Sequence, residues 1–303
     1  MHKVLITGIT GFLGSHIAEA LCLQGISVIG LKRATSDTWR CKDFENKIEW
    51  LDIDGVNDWK KELVQKAPTC IIHTAWIGVE AKDRDNWTEQ AKNIQLLIDL
   101  LDLSNSLSIE KFVFLGSQAE YGAFEGKINE LSEVHPTNAY ASIKLACFEI
   151  LRTYATQHHI EWLWLRIFSV FGERENESWL IPSMIKSMQQ KTEMDFTEGK
   201  QKYAYLYTKD FAQILVTLLQ KKMNPGIYNI SSNEVKDLKW LIETIRNKVN
   251  PNFKLNFGAI PYRNNQSMHM EGDISKLINE IGPIKFTDFN VALSNTLKYY
   301  TSN

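Results

Sequence analysis

The sequence predicts an α/β protein built on a doubly wound parallel sheet, and three observations predict it. Short apolar runs recur along the first half of the chain, amphipathic stretches long enough for crossover helices separate them, and the first run enters a glycine-rich turn that opens a helix. Residues 3–7 form that first run, of the kind that fills the centre of a parallel sheet. Residues 27–31, 48–51, 69–73, 111–116 and 161–167 read as the strands that follow. Residues 86–102 carry Ala91, Ile94, Leu97, Ile98 and Leu101 on one side, and residues 140–157 carry Ile143, Cys147, Ile150, Leu151 and Tyr154, so both read as long helices.

Thr7-Gly8-Ile9-Thr10-Gly11-Phe12-Leu13-Gly14 is the turn. Ile17, Ala18, Leu21 and Cys22 recur after it at helical spacing, so strand, turn and helix follow in order. Glycines are needed there because the turn uses backbone angles closed to other residues, and because a pyrophosphate reaches the helix amides only where no Cβ intervenes. Gly8, Thr10, Gly11, Phe12, Leu13 and Gly14 are the expected contacts of a dinucleotide.

At 303 residues, with 44% hydrophobic and 23% charged residues, the chain buries a large core rather than remaining disordered. Its net charge of −2, with no long run of one sign, favours neither a nucleic-acid surface nor a membrane surface. Cys22, Cys41, Cys70 and Cys147 are scattered without a CxxC pair, which suits reduced core thiols; no metal site is expected. The first strand starts at once, and no apolar stretch approaches the ~20 residues of a membrane span, so the expected compartment is the cytoplasm. Beyond Gly172 the pattern loosens into shorter elements. The expected division is a dinucleotide-binding domain over 1–172 and a mainly substrate-binding lobe over 173–303, with some segments returning to the core sheet.

Tyr140 and Lys144 stand four apart on one helix, and Ser117 follows the fifth strand. A phenol of pKa ~10 is a poor acid at neutral pH until a nearby cation favours its ionised form. Lys144, one turn away, is expected to supply that field, and Ser117 to hydrogen-bond the reacting oxygen. Tyr205 and Lys209 repeat the spacing, but in the lobe and without a paired serine.

With these pieces the chain resembles the extended short-chain dehydrogenase/reductase family, which holds nucleotide-sugar epimerases, dehydratases and reductases. The resemblance rests on the glycine turn, Asp52-Ile53, His73-Thr74-Ala75, Gly116-Ser117-Gln118-Ala119-Glu120-Tyr121-Gly122, the Tyr140/Lys144 pair and Arg166-Ile167-Phe168-Ser169-Val170-Phe171-Gly172. It implies a Rossmann-type sheet, a catalytic triad of Ser117, Tyr140 and Lys144, adenine contacts from Asp52 and Ile53, and Ala75 along the ribose and nicotinamide channel. It also implies a homodimer packed through helices 86–102 and 140–157. His73 is read as a core histidine satisfied by backbone.

Three departures narrow the reaction. Relatives that dehydrate sugars carry an Asp-Glu pair after the catalytic hydroxyl, where this chain has Gln118 and Ala119, neither able to exchange a proton usefully. The second strand ends in Lys32-Arg33 rather than an acid, which suits a 2′-phosphate and makes NADP the expected cofactor, with NAD as the alternative. The arginine with which many relatives grip a diphosphate is missing from Gly199-Lys200-Gln201-Lys202-Tyr203, and Ser169 replaces an asparagine. Lys200, Lys202 or Arg174 are candidate substitutes, with Gln118, Glu120 and Ser169 as further substrate contacts.

The resulting expectation is an NADPH-dependent reductase acting on the C4 ketone of a CDP- or dTDP-linked 6-deoxy-4-ketohexose, in deoxysugar synthesis for surface polysaccharide. The alternatives are an NAD-dependent nucleotide-sugar 4-epimerase and a non-catalytic dinucleotide-binding module.

Overall fold

The computed structural model describes residues 3–263 and 266–302. The chain opens with β1 (Lys3–Thr7), α1 (Phe12–Leu23), β2 (Ser27–Lys32), β3 (Ile48–Asp52), α2 (Trp59–Lys66) and β4 (Cys70–His73). Asp58 caps α2 by accepting from the Lys60 amide, and the helix stops at Ala67, whose φ of 47° precedes Pro68. The expected helix 86–102 is two helices, α3 (Trp87–Ala91) and α4 (Asn93–Leu107), separated at Lys92. It runs past residue 102 because Leu103, Ser104 and Leu107 are still buried, and ends only at Ser108, in the left-handed region.

β5 (Lys111–Ser117) is buried along its whole length, and β6 (Gly126–Ile128) leaves the main sheet. Asn138 caps α5 (Ala139–Gln157) through the Ala141 amide, and β7 (Glu161–Ile167) follows. Beyond these come β8 (Val170–Phe171), α6 (Leu180–Gln190), β9 (Glu193–Phe196), β10 (Lys202–Ala204), β11 (Leu206–Tyr207), α7 (Thr208–Gln220), β12 (Gly226–Ile230) and β13 (Val235–Asp237). The chain closes with α8 (Leu238–Val249), β14 (Lys254–Phe257), β15 (His269–Gly272), α9 (Ser275–Ile281) and α10 (Phe289–Thr301).

Seven strands form one parallel sheet in the order β12-β7-β5-β4-β1-β2-β3. Side chains alternate across it as the two-residue period requires. Val4 and Ile6 point into a cluster with Ile17 and Leu21 of α1 and Phe211 and Leu215 of α7, while Leu5 joins Leu97 and Leu101 of α4 and Leu151 of α5 on the other side. A third cluster, with Phe171, Met184, Leu241, Ile245 and Leu293, lies among α6, α8 and α10. A four-stranded sheet, β13-β10-β15-β6, joins the early segment β6 to three late strands.

The strand order reverses between β1 and β4, which pair directly at Thr7 and His73. At such a reversal the connections leave toward opposite faces and open a crevice beyond the carboxyl ends of the strands. Thr7, His73 and Ser117 are the last residues of β1, β4 and β5, so the glycine turn, the segment after His73 and the serine share that edge. Among the described residues, no helix is long and apolar enough to cross a membrane.

Candidate active site

The glycine turn is built as its sequence requires. Gly8 has a φ of +67°, and a Cβ there would stand 2.6 Å from the Ala75 amide nitrogen. A Cβ on Gly14 would meet the Gly8 carbonyl oxygen at 2.3 Å. Gly11 caps α1 without a side-chain hydrogen bond, so the first helix amides stay open toward the crevice. Thr7 ties the turn to the exit of β4: its backbone carbonyl accepts from the Thr74 amide at 3.2 Å and the Thr74 hydroxyl at 2.7 Å, and its Oγ1 accepts from the Ala75 amide at 3.2 Å.

His73 is a core residue, as expected, but its hydrogen-bond partner is a side chain rather than backbone, and its Nε2 has none among the described residues. Its Nδ1 lies 2.7 Å from Thr7 Oγ1, its ring meets Phe114 edge-on, and burial pulls its pKa down to about 3. The imidazole is therefore neutral.

Ser117, Tyr140 and Lys144 come together beside this exit. The Ser117 hydroxyl faces the Tyr140 phenol and favours its ionised form, and Ser117 Oγ accepts from the Ala119 amide at 3.1 Å. Trp76, one residue beyond Ala75, meets the Tyr140 ring at 5.8 Å between centroids and lies 3.7 Å under the Lys144 ammonium. The turn and the phenol are thus joined through two consecutive residues.

Burial sets the electrostatics of the pair first. It pushes the Tyr140 phenol up from its ordinary range, and the Ser117 hydroxyl and the Arg84 guanidinium are what oppose it. Lys144 donates to the Leu115 carbonyl at 2.8 Å, is 4% exposed, and is itself pulled down to about 7 by burial. A lysine buried against an indole and a backbone carbonyl loses solvation faster than it gains a counter-charge.

Four further expected contacts already have protein partners. Glu120 is fully buried rather than turned to a substrate. Its carboxylate accepts from Arg166 Nε at 2.9 Å, from the Ser117 amide at 2.7 Å and from the Trp164 indole at 2.9 Å. Arg174 is buried against α1, bonded to Glu19, to His16 Nδ1 at 2.8 Å and to the Arg40 carbonyl at 2.7 Å. Lys32 and Asp52, each expected on the cofactor, are paired with each other at 2.5 Å. Lys200 is taken by Glu198 at 2.5 Å.

The other expected contacts remain accessible. Arg33 is exposed and, among the described residues, its guanidinium makes no ion pair. Lys202 is exposed on β10, Gln118 and Ser169 are half-buried, and Ile53 donates its amide to the Lys32 carbonyl at 2.8 Å. All four cysteines are free and buried.

Sequence reasoning missed Trp76, Arg84 and Arg40. The first two lie on the segment that leaves β4: Trp76 directly follows His73-Thr74-Ala75, which was a signal, whereas nothing along the chain marks Arg84 eight residues beyond it. Arg40 reaches the Thr10 carbonyl at 3.4 Å and follows the Lys32-Arg33 pair by one short turn.

A switch-point crevice, a glycine turn against its wall and a Ser-Tyr-Lys cluster at its edge define an NAD(P)-dependent enzyme of the extended short-chain dehydrogenase/reductase class. The profile of the NAD dependent epimerase/dehydratase family matches residues 4–231, and the chain belongs to that family of nucleotide-sugar-modifying enzymes. It is 28% identical to the CDP-abequose synthase of Salmonella muenchen over 281 residues, 91% of this chain and 90% of the relative. It is 25% identical to the dTDP-6-deoxy-L-talose 4-dehydrogenase (NAD(+)) of Aggregatibacter actinomycetemcomitans, over 89% and 99% of the two chains. The UDP-glucuronic acid 4-epimerase of Bacillus cereus, solved with UDP-glucuronic acid and NAD, superposes with a TM-score of 0.86 at 22% identity, covering 99% of both chains. That likeness shows the shared fold.

Proposed function

We propose that the chain reduces the C4 ketone of a CDP- or dTDP-linked 6-deoxy-4-ketohexose with NADPH, in deoxysugar synthesis for surface polysaccharide. The observation that carries the reading is the Ser117–Tyr140 hydroxyl pair with Gln118 and Ala119 beside it. One proton donor faces a reacting oxygen, and no second acid–base pair stands ready for loss of water across C5 and C6. Two relatives whose names carry CDP-abequose and a dTDP-6-deoxysugar 4-dehydrogenase support a CDP- or dTDP-linked 6-deoxysugar and chemistry at position 4.

The residues present fit a dinucleotide. The open amides of α1 and the Cβ-free surface of Gly8 and Gly14 suit its pyrophosphate, and Arg33, left unpaired, suits a 2′-phosphate. When bound, NADPH supplies the hydride that adds to C4. Tyr140 gives its proton to the carbonyl oxygen as it becomes an alkoxide, and Ser117 holds that oxygen by a hydrogen bond. Lys144 steadies the cofactor ribose and the tyrosine side chain. Gln118, Ser169 and Lys202 line the way for the sugar nucleotide, and the residues beyond Gly172 supply most of its binding lobe. The reading includes a cytoplasmic homodimer packed through α4 and α5, on which Ile98 is 38% exposed.

A 4-epimerase with retained NAD is the second reading. The Lys32–Asp52 pair favours it, because one of the two cations expected at the 2′-phosphate is already neutralised. A panel of nucleotide-linked 4-ketosugars with NADPH tests the choice. The reductase consumes NADPH in step with substrate, and R33A raises its KM for NADPH while sparing NADH. Purified protein that carries tightly held NAD and interconverts C4 epimers without net oxidation of NADPH overturns the reductase reading.

A further inference from the structure

The segment that leaves β4 is held from below by two buried amides. Asn93 accepts from the Ile77 amide at 2.7 Å and donates to the Ile77 carbonyl at 3.1 Å. Gln90 accepts from the Trp76 indole at 2.8 Å and donates to the Gly78 carbonyl at 2.7 Å and the Asp83 carbonyl at 3.1 Å. Both amides are at most 5% exposed, so the loop they hold has few alternative positions. Its next residue is Arg84. Arg84 Nε donates to the Val79 carbonyl at 3.1 Å, its backbone carbonyl accepts from the Tyr140 amide at 2.8 Å, and its guanidinium lies 5.0 Å from the centre of the Tyr140 ring.

We propose that Arg84 is a positioning residue for Tyr140, the cation that orients the ring and favours its ionised form in this chain, a part the spacing of the motif assigns to Lys144. The inference rests on the reading of Tyr140 as the proton donor. The Lys144 ammonium stands 5.8 Å from the same ring centre, turned instead onto Trp76 and the Leu115 carbonyl. A guanidinium stays charged throughout the working pH range, whereas Lys144, pulled down to about 7, is only partly charged there. The groups that face the phenol are Ser117 from the end of β5, Glu120 from the following turn, Arg84 from the loop and Lys144 from α5 itself. Glu120 opposes ionisation, so Arg84 is the group with a permanent positive charge among them.

The test reads the phenol directly. The protein is labelled at the ζ-carbon of tyrosine, the Tyr140 signal is assigned by its loss in Y140F, and wild type, R84M and R84K are titrated without ligand while circular dichroism follows the fold. An opposite charge at this range shifts a pKa by at least about one pH unit. R84M is therefore expected to move the Tyr140 titration up by about one unit, and R84K to restore most of it. In turnover with NADPH and a 4-ketosugar, the limb that reports Tyr140 moves the same way, with kcat affected more than KM.

Tyr140 curves that coincide in wild type and R84M, flat ones included, overturn the inference. If R84M does not fold, R84Q decides, because it too removes the charge: a Tyr140 curve and a kcat limb both unmoved in R84Q are then the overturning result. Absence of turnover on every ketosugar removes the proposed reaction but leaves the ligand-free titration standing. An active enzyme with an unmoved Tyr140 removes only the part given to Arg84.

Discussion

The chain carries the Tyr-x-x-x-Lys spacing twice, and the two copies fold into opposite situations. Tyr140 and Lys144 both lie on α5, buried, with the Ser117 hydroxyl facing the phenol. Tyr205 lies between β10 and β11, while Lys209 is in the first turn of α7. Four residues place two side chains on one face when a single helix or a single strand holds both, and a boundary between two elements removes that guarantee. Lys209 is 57% exposed and pairs with Glu173 at 2.9 Å, and its ammonium stands over Tyr207 rather than Tyr205. Tyr205 packs against Tyr203, and burial pushes its phenol up with no cation to oppose it. A motif is therefore a statement about an element boundary as much as about residues.

The largest expected difference between the copies is in turnover. Y140F removes the proton donor and is expected to lower kcat about 10³-fold, near 4 kcal/mol, while leaving binding of NADPH close to wild type. Y205F deletes the hydroxyl of a half-buried residue outside the Ser117–Tyr140–Lys144 cluster and is expected to change kcat less than twofold. Steady-state kinetics with fluorescence titration of NADPH checks both. Equal losses in the two variants break the comparison, since they make the second copy part of the reaction.

The carboxylates beneath the copies give the next difference. Glu120 and Arg166 are 0% and 2% exposed, so E120Q leaves a guanidinium buried without its counter-charge, at an expected loss of about 3 kcal/mol. The same substitution also weakens the hold on the Ser117 amide, so kcat falls with stability. Glu173 accepts from Tyr207 at 2.8 Å and pairs with the exposed Lys209, and E173Q is expected to lose about 1 kcal/mol. Urea denaturation measures both, and similar losses contradict the distinction between a pair buried on both sides and one whose cation is exposed.

What was legible in the sequence was local. Apolar runs and the glycine spacing gave six of the strands, the first crossover and the position of the cofactor crevice, because strand burial and a turn closed to Cβ atoms are written in neighbouring residues. The seventh strand, Gly226–Ile230, was not read, since Tyr228 and Asn229 interrupt its apolar pattern. Its Asn229 is buried because Tyr121, 108 residues earlier, donates to it. Polar partners were the blind spot throughout. Glu120 meets Arg166 across 46 residues, Arg174 meets Glu19 across 155, and Lys32 meets Asp52 across 20. A charged residue reads as a ligand contact until the sheet brings its counter-charge, and no pattern along the chain announces that partner. Arg84 shows the converse, a site residue recognisable only once the loop after β4 is seen to fold back over α5.

The two lysines carry the smallest effects on stability, but differ most usefully in sign. The folded pKa of Lys144 is about 7 against an ordinary 10.5, so between those values the unfolded chain binds more protons than the folded one. Stability contributed through this group therefore rises with pH across that window, and below about pH 7 the full penalty of a buried ammonium is present. K144M removes the penalty and also the hydrogen bond to the Leu115 carbonyl, which costs about 1–2 kcal/mol. It is expected to be more stable than wild type at pH 6.5 by about 2 kcal/mol, with the gain lost near pH 10. K209M loses only an exposed pair and is expected to be less stable by under about 1 kcal/mol at either pH. Urea midpoints at pH 6.5 and 9.5 separate them: a K144M protein that is weaker than wild type at pH 6.5, with an unchanged pH slope, means that Lys144 folds without paying for its burial, and the contrast between the two copies then rests on the tyrosines alone.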